Sequence, residues 1–142
     1  MNTAADFEQK LSKLDPQKDE FVLLVDELIE DYNQEEHESF IPAIFRFFES
    51  HPIEDMGAPG TLVHLTEDYY PNYLPLLLES LKRRPSYNSI LMSNRILNSK
   101  ITDDLRTELL EHLTAISTDQ NLEPELINEA SEFLEFQKKR NK

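Results

Sequence analysis

The side chains best equipped for chemistry in this chain are its 28 carboxylates and four histidines, and their spacing limits what they can do. His37, His51, His64 and His112 include no pair at the i, i+4 spacing that would converge on a metal from one helix face. His37-Glu38-Ser39-Phe40-Ile41 begins like a zinc-protease motif but ends in isoleucine where the second histidine must stand. His51, next to Pro52, fits a helix C-terminus, where a partial positive charge favours the dipole. Carboxylate pairs are common here, yet acid–base catalysis needs one member held in an apolar pocket so that the two proton affinities separate, and no pair is marked in that way. Gly57-Ala58-Pro59-Gly60 has the outline of a G-x-x-G phosphate loop. Pro59 has no amide to offer, however, and Glu54 and Asp55 would repel an anion, so a tight turn feeding a helix is expected. No catalytic group, metal site or cofactor is predicted.

Two polar clusters fall outside catalytic chemistry. Asn94 and Asn98 share one helix face beside Ile90, Leu91 and Leu97, so burial would oblige both amides to find partners, either in the Met56 to Gly60 turn or in a neighbouring unit. Glu67-Asp68-Tyr69-Tyr70-Pro71-Asn72-Tyr73 combines three tyrosines with two carboxylates on a connector. Such a segment serves either as a packed corner or as a contact surface, since tyrosine offers large area at low entropic cost.

The elements that would carry these groups are set by a repeat. Phe40 to Pro52 and Tyr73 to Pro85 match at an offset of 33, with Ile41, Ile44, Phe45 and Phe48 answered by Leu74, Leu77, Leu78 and Leu81 at helical spacing. Both prolines recur, one where a helix start tolerates it and one where a helix must stop. A third, weaker copy places Leu109, Leu110 and Leu113 at an offset of 32, with Thr102 as cap and Arg106 in place of an apolar residue. Partner helices are expected at Thr61 to Leu65, from Tyr87 to about Asn98, and from Pro124 onward. Ahead of the repeat, Thr3 opens a short helix, Asp15-Pro16 caps a second that runs to about Tyr32, and Ser39 caps the first copy. With two glycines, eight prolines and few alternating β-branched runs, the chain reads as all-α. The expected architecture is a single domain over 1–142, a short HEAT-like α-solenoid of about three antiparallel helix pairs preceded by two N-terminal helices. A compact irregular bundle is the alternative.

Composition bounds the rest. There is no cysteine, and no apolar run approaches membrane-spanning length or follows a basic start, so a soluble cytoplasmic protein is expected. Residues 1–70 hold 17 Asp and Glu against 4 Lys and Arg, while residues 71–142 hold 11 against 10. Nucleic acid and anionic membrane are therefore excluded as partners, and a basic protein is favoured, although acidic surfaces also serve solubility alone.

The stretch from Phe40 to Ser99, through Gly57-Ala58-Pro59-Gly60-Thr61-Leu62-Val63-His64, Tyr73, Leu74, Leu78-Glu79-Ser80-Leu81, Pro85 and Asn94-Arg95-Ile96-Leu97-Asn98, resembles helical immunity proteins of bacterial polymorphic toxin systems. These accompany contact-dependent growth inhibition and related secreted toxins. The resemblance implies a small cytosolic protein, not an enzyme, that binds and neutralises a cognate toxin domain, often a nuclease, and it places Asn94, Arg95 and Asn98 in the framework. An acidic partner can occupy the basic cleft of such a toxin. The expected toxin-binding residues are Asp26, Glu27, Glu30, Asp31, Glu35, Glu36, Glu54, Asp55, Glu67 and Asp68, with Tyr69 and Tyr70 as anchors, and Glu54, Asp55, Glu67 and Asp68 are expected to act as one cluster. A HEAT-like adaptor without toxin-neutralising activity and a small hydrolase are the competing classes; oligomeric state stays open.

Overall fold

In the computed structural model, which describes residues 3–57 and 59–140, the chain is all-helical, with no strand among the described residues. The α-helices are α1 (Thr3–Leu11), α2 (Phe21–Glu30), α3 (Ile41–Ser50), α4 (Thr61–Glu67), α5 (Leu74–Arg83), α6 (Tyr87–Leu97), α7 (Asp103–Ser117) and α8 (Pro124–Arg140). A 3-10 helix, Gln34–Phe40, precedes α3.

The 33-residue repeat survives as backbone: α3 and α5 begin and end in register, each with proline in its first turn and a non-helical residue, His51 or Arg84, closing it. Two of the four matched apolar pairs are buried in both copies, while Leu74 and Leu78 are half-buried where Ile41 and Phe45 are buried. Ile44, Phe48, Leu77 and Leu81 are all sealed, and Leu109 and Leu113 of α7 continue the row. Accordingly α3 packs on α5 and α5 on α7, while α6 packs on α8 and also touches α3, α5 and α7. Arg106, at the position where the third copy lacks an apolar residue, donates instead to the Leu97 carbonyl at 3.2 Å.

The N-terminal elements differ from expectation in two places. Asp15 does not cap α2; its carboxylate accepts from the Gln17 amide at 2.9 Å, forming a turn, and the helix starts at Phe21. Residues 16–20 contain nothing large and apolar to bury, whereas Phe21 stacks on Phe47 at 5.9 Å, and a short helix is stabilised mainly by such packing. Nor does Ser39 cap α3. The connector before it winds as a 3-10 helix that drops Phe40 onto Phe7, ring centroids 4.2 Å apart, and Ser39 Oγ donates back to the Glu36 carbonyl. Because α3 continues directly from this turn, its first amides need no side-chain cap.

The loop from Ile53 to Gly60 is held tightly, with Ala58 outside the described residues. Met56 and Gly57 both have positive φ, at 57° and 80°, and a side chain on Gly60 would collide with the Met56 carbonyl at 2.4 Å. Met56 adopts this costly conformation while its side chain is buried in the core, so it pins the loop from inside. Among the described residues, side-chain hydrogen bonds between elements span 26 to 43 positions, Arg106 to Leu97 apart.

Candidate functional site

The acidic half presents three places joined by shared residues, Thr61 at the first and second and His64 at the second and third. The first is the edge where the loop before α4 runs beside α2. Gln17 Nε2 donates to Glu54 Oε1 at 3.0 Å, Asp55 Oδ1 accepts from the Gly57 amide at 3.0 Å, and Thr61 Oγ1 donates to Asp26. Glu54, Asp55 and Asp26 are thus positioned, each by a neutral donor that leaves the negative charge intact.

The second is a groove of about 380 Å³ between the C-terminal end of α2, the 3-10 helix and α4. Glu30 and Asp68 line it, with Ile29, Tyr32, Gln34, His37, Thr61, His64 and Leu65. Its corner is tied by Tyr69, whose hydroxyl donates to the Gln34 carbonyl at 3.3 Å, and by Asn72, whose amide donates to Glu38 at 3.2 Å. Tyr69 is therefore part of the packed corner. Asp31 and Glu35 are exposed beside it, Glu36 is half-buried, and Glu27 is exposed on α2. His37 and His64 both reach this groove, but among the described residues no three of His, Cys, Asp and Glu converge on a point that would hold a metal.

The third place belongs to the protein's interior contacts. Glu67 receives Arg95 of α6 through two hydrogen bonds, at 2.6 and 3.0 Å, and Arg95 is held firmly protonated by them. His64 Nδ1 lies 3.4 Å away on the other side. Tyr70, exposed, meets Tyr73 edge to face at 5.9 Å; burial pushes the Tyr73 phenol well above its ordinary range. Together with Ser99 and Lys100 these side chains line a cleft of about 260 Å³.

The four carboxylates expected to act together are thus divided. Glu54 and Asp55 lie at the α2 edge, Asp68 faces the α2 groove, and Glu67 is bound to α6. Their adjacency in sequence hides the winding at the end of α4, which turns Asp68 about 100° away from Glu67.

Of the 17 carboxylates in residues 1–70, only Asp6, Glu8, Glu49 and Glu67 form ion pairs among the described residues, with Lys10, Arg46, Arg83 and Arg95. The other thirteen keep their charge uncompensated by any close cation.

Asn94 and Asn98 find their partners in the neighbouring unit and not in the 56–60 turn. Gln137 Nε2 of α8 donates to Asn94 Oδ1 at 2.7 Å and to Asn98 Oδ1 at 2.9 Å, and Arg140 adds a bond to Asn98. The contact to the loop comes from Asn88, whose amide donates to the Glu54 carbonyl at 3.2 Å. Sequence reading overlooked Gln137, although a glutamine in register with Leu126, Ala130 and Phe133 on an apolar stripe marks a buried polar contact. It also overlooked Val22 and Leu23, apolar residues off the buried stripe of α2, and Ile53 in the loop; all three are exposed.

Compared with known protein-family models, curated proteins and solved structures, the chain matches none of them.

Proposed function

We propose that this protein is an immunity protein that binds and neutralises a cognate toxin domain, one with a basic surface such as a nuclease cleft presents. The observation that carries this reading is the set of thirteen carboxylates in the first half that have no cationic partner among the described residues, ten of them exposed. A cationic partner would gain long-range steering from such a surface, and association would weaken as salt rises. Neutralisation then follows from occupation of the toxin's cleft and requires no reaction.

In the same reading the scaffold is a short HEAT-like solenoid. The row α3, α5 and α7, the contact of α6 with α8, and hydrogen bonds that reach only into the neighbouring unit all support it. A HEAT-like adaptor would use the same scaffold, and the identity of the adjacent gene's product separates the two.

The test is co-expression with that product. A complex should purify, and replacing Glu27, Glu30, Glu35 and Asp68 by Gln or Asn should weaken it at least tenfold at low salt and flatten its salt dependence. Absence of any complex, or a complex whose affinity ignores both salt and these four residues, would sink the proposal.

A further inference from the structure

Among the described residues, Val22 (41% exposed), Leu23 (59%), Ile53 (42%), Tyr70 and Phe136 are the large hydrophobic side chains most open to solvent. Three of these five stand on two adjoining elements, Val22 and Leu23 on α2 and Ile53 on the loop that runs alongside it, with Val22 at the junction. Three contacts set that alignment: Gln17 to Glu54, Val22 Cγ2 at 3.0 Å from where a side chain on Gly57 would begin, and Thr61 to Asp26. A single exposed leucine needs no explanation, but an apolar group of this kind inside a charged rim is the composition of a contact surface.

The rim has one sign. Asp19, Glu20, Asp26, Glu27, Glu54 and Asp55 flank the apolar residues along the helix and the loop, and none forms an ion pair with a described cation. Lys18, in the turn ahead of α2, is the local cation set against them. An anionic lipid or nucleic acid would be repelled by this rim, and a second copy of the chain would bring two such rims face to face. A cationic segment with apolar side chains satisfies both features at once.

We propose that the edge formed by Val22, Leu23 and Ile53 docks a basic amphipathic segment of the partner protein, with the partner's apolar side chains covering these three residues and its Lys or Arg side chains reaching the six carboxylates. This rests on the toxin-binding reading and adds the place and chemistry of the anchor. The apolar contact fixes the register, while the carboxylates supply attraction that salt screens.

Two synthetic 15-residue peptides test it. One arranges Leu and Lys on opposite faces of a helix; the other keeps every Lys and replaces each Leu by Ser. In an NMR titration of the full chain, the Leu/Lys peptide should shift amides of residues 19–27 and 53–57 first. Leu23→Ser and Ile53→Ser, both at solvent-exposed positions, should each weaken its binding about tenfold, whereas the Ser/Lys peptide should bind weakly and ignore both variants. Unchanged affinity for the Leu/Lys peptide in the two variants, or shifts that map instead to the Glu30 and Asp68 groove, overturn the proposal. So does a wild-type dimer in sedimentation velocity that Leu23→Ser dissolves, since that gives the edge to a second copy. If the peptide docks here but the adjacent gene's product forms no complex, the toxin reading fails and the docking edge stands. If that complex forms and both variants leave its affinity intact, the docking edge fails and the toxin reading stands.

Discussion

Between α6 and α8, polar side chains on one helix are met by polar side chains on the next: Asn94 and Asn98 by Gln137 and Arg140, with Arg84 and Glu123 closing the outer end. Where α2 meets α3 the contact is aromatic, Phe21 on Phe47, and the carboxylates of α2 lie off it, Asp26 turned instead to Thr61 of α4. The difference shows two uses of polarity. In the C-terminal region it selects how helices seat, because a buried amide without its partner is costly. In the N-terminal region the buried contacts are rings, a few carboxylates such as Asp6 and Glu8 tie one element to another, and most of the charge faces outward.

Breaking ring packing should cost most. Phe40→Ala empties a fully buried site stacked on Phe7 and edge-on to Tyr32 at 5.0 Å, and is expected to lose roughly 3–5 kcal/mol in urea denaturation. If the loss were under 1 kcal/mol, aromatic packing would not be what seats this region.

Gln137→Ala, which strips Asn94 of its buried partner, is expected to cost about 1–3 kcal/mol by the same method. Gln137→Glu should behave at least as badly at neutral pH, since a buried carboxylate cannot donate to the two asparagine oxygens; equal stability to wild type would remove the seam from the comparison.

Acid should reach the paired carboxylates next. The Tyr32 hydroxyl and then Lys10 hold Asp6 below the usual carboxylate range, Arg46 does so for Glu8, and Arg84 for Glu123. Burial pushes Glu49 up, but Arg83 and Ser80 outweigh it and the net direction is down. A carboxyl held lower in the folded than in the unfolded chain stabilises the fold above the unfolded value, near ~4, and that contribution is lost as pH falls through the folded values. Melting temperature should therefore hold steady from pH 7 to 5 and drop below about pH 4, with a shallower drop in an Arg46→Met, Arg84→Met variant. Identical profiles for variant and wild type would show that these ties do not govern acid stability.

The smallest effect is expected from the outward charges. Glu27→Gln, Glu30→Gln and Glu35→Gln together should change stability by no more than about 0.5 kcal/mol, on the stabilising side at low salt because like charges are removed. Destabilisation beyond 1 kcal/mol would mean that these side chains support the fold and are not free for a partner.

What was legible in the sequence follows from how far each determinant acts. The α3 and α5 bounds could be read 33 residues apart because helical periodicity and the two prolines are local signals. The start of α2 could not, since it is decided by Phe47, far along the chain. Asn94 and Asn98 announced that they needed partners, and the choice of Gln137 over the 56–60 turn depended on how α8 lies across α6. Of the candidate surface, the surplus of negative charge was plain. Its division between the α2 edge, the groove and the Arg95 contact was not, because it depends on which way α4 is rotated.

The short reach of the side-chain hydrogen bonds, none longer than 43 positions among the described residues, has a bearing on synthesis. As the chain leaves the ribosome, each helix meets its hydrogen-bonding partners within about one further repeat of translation. The α2 edge and its groove have all these partners once α6, whose Asn88 holds the loop, has emerged, before α8 is made. The acidic edge is thus assembled while the chain's own last helix is still being made.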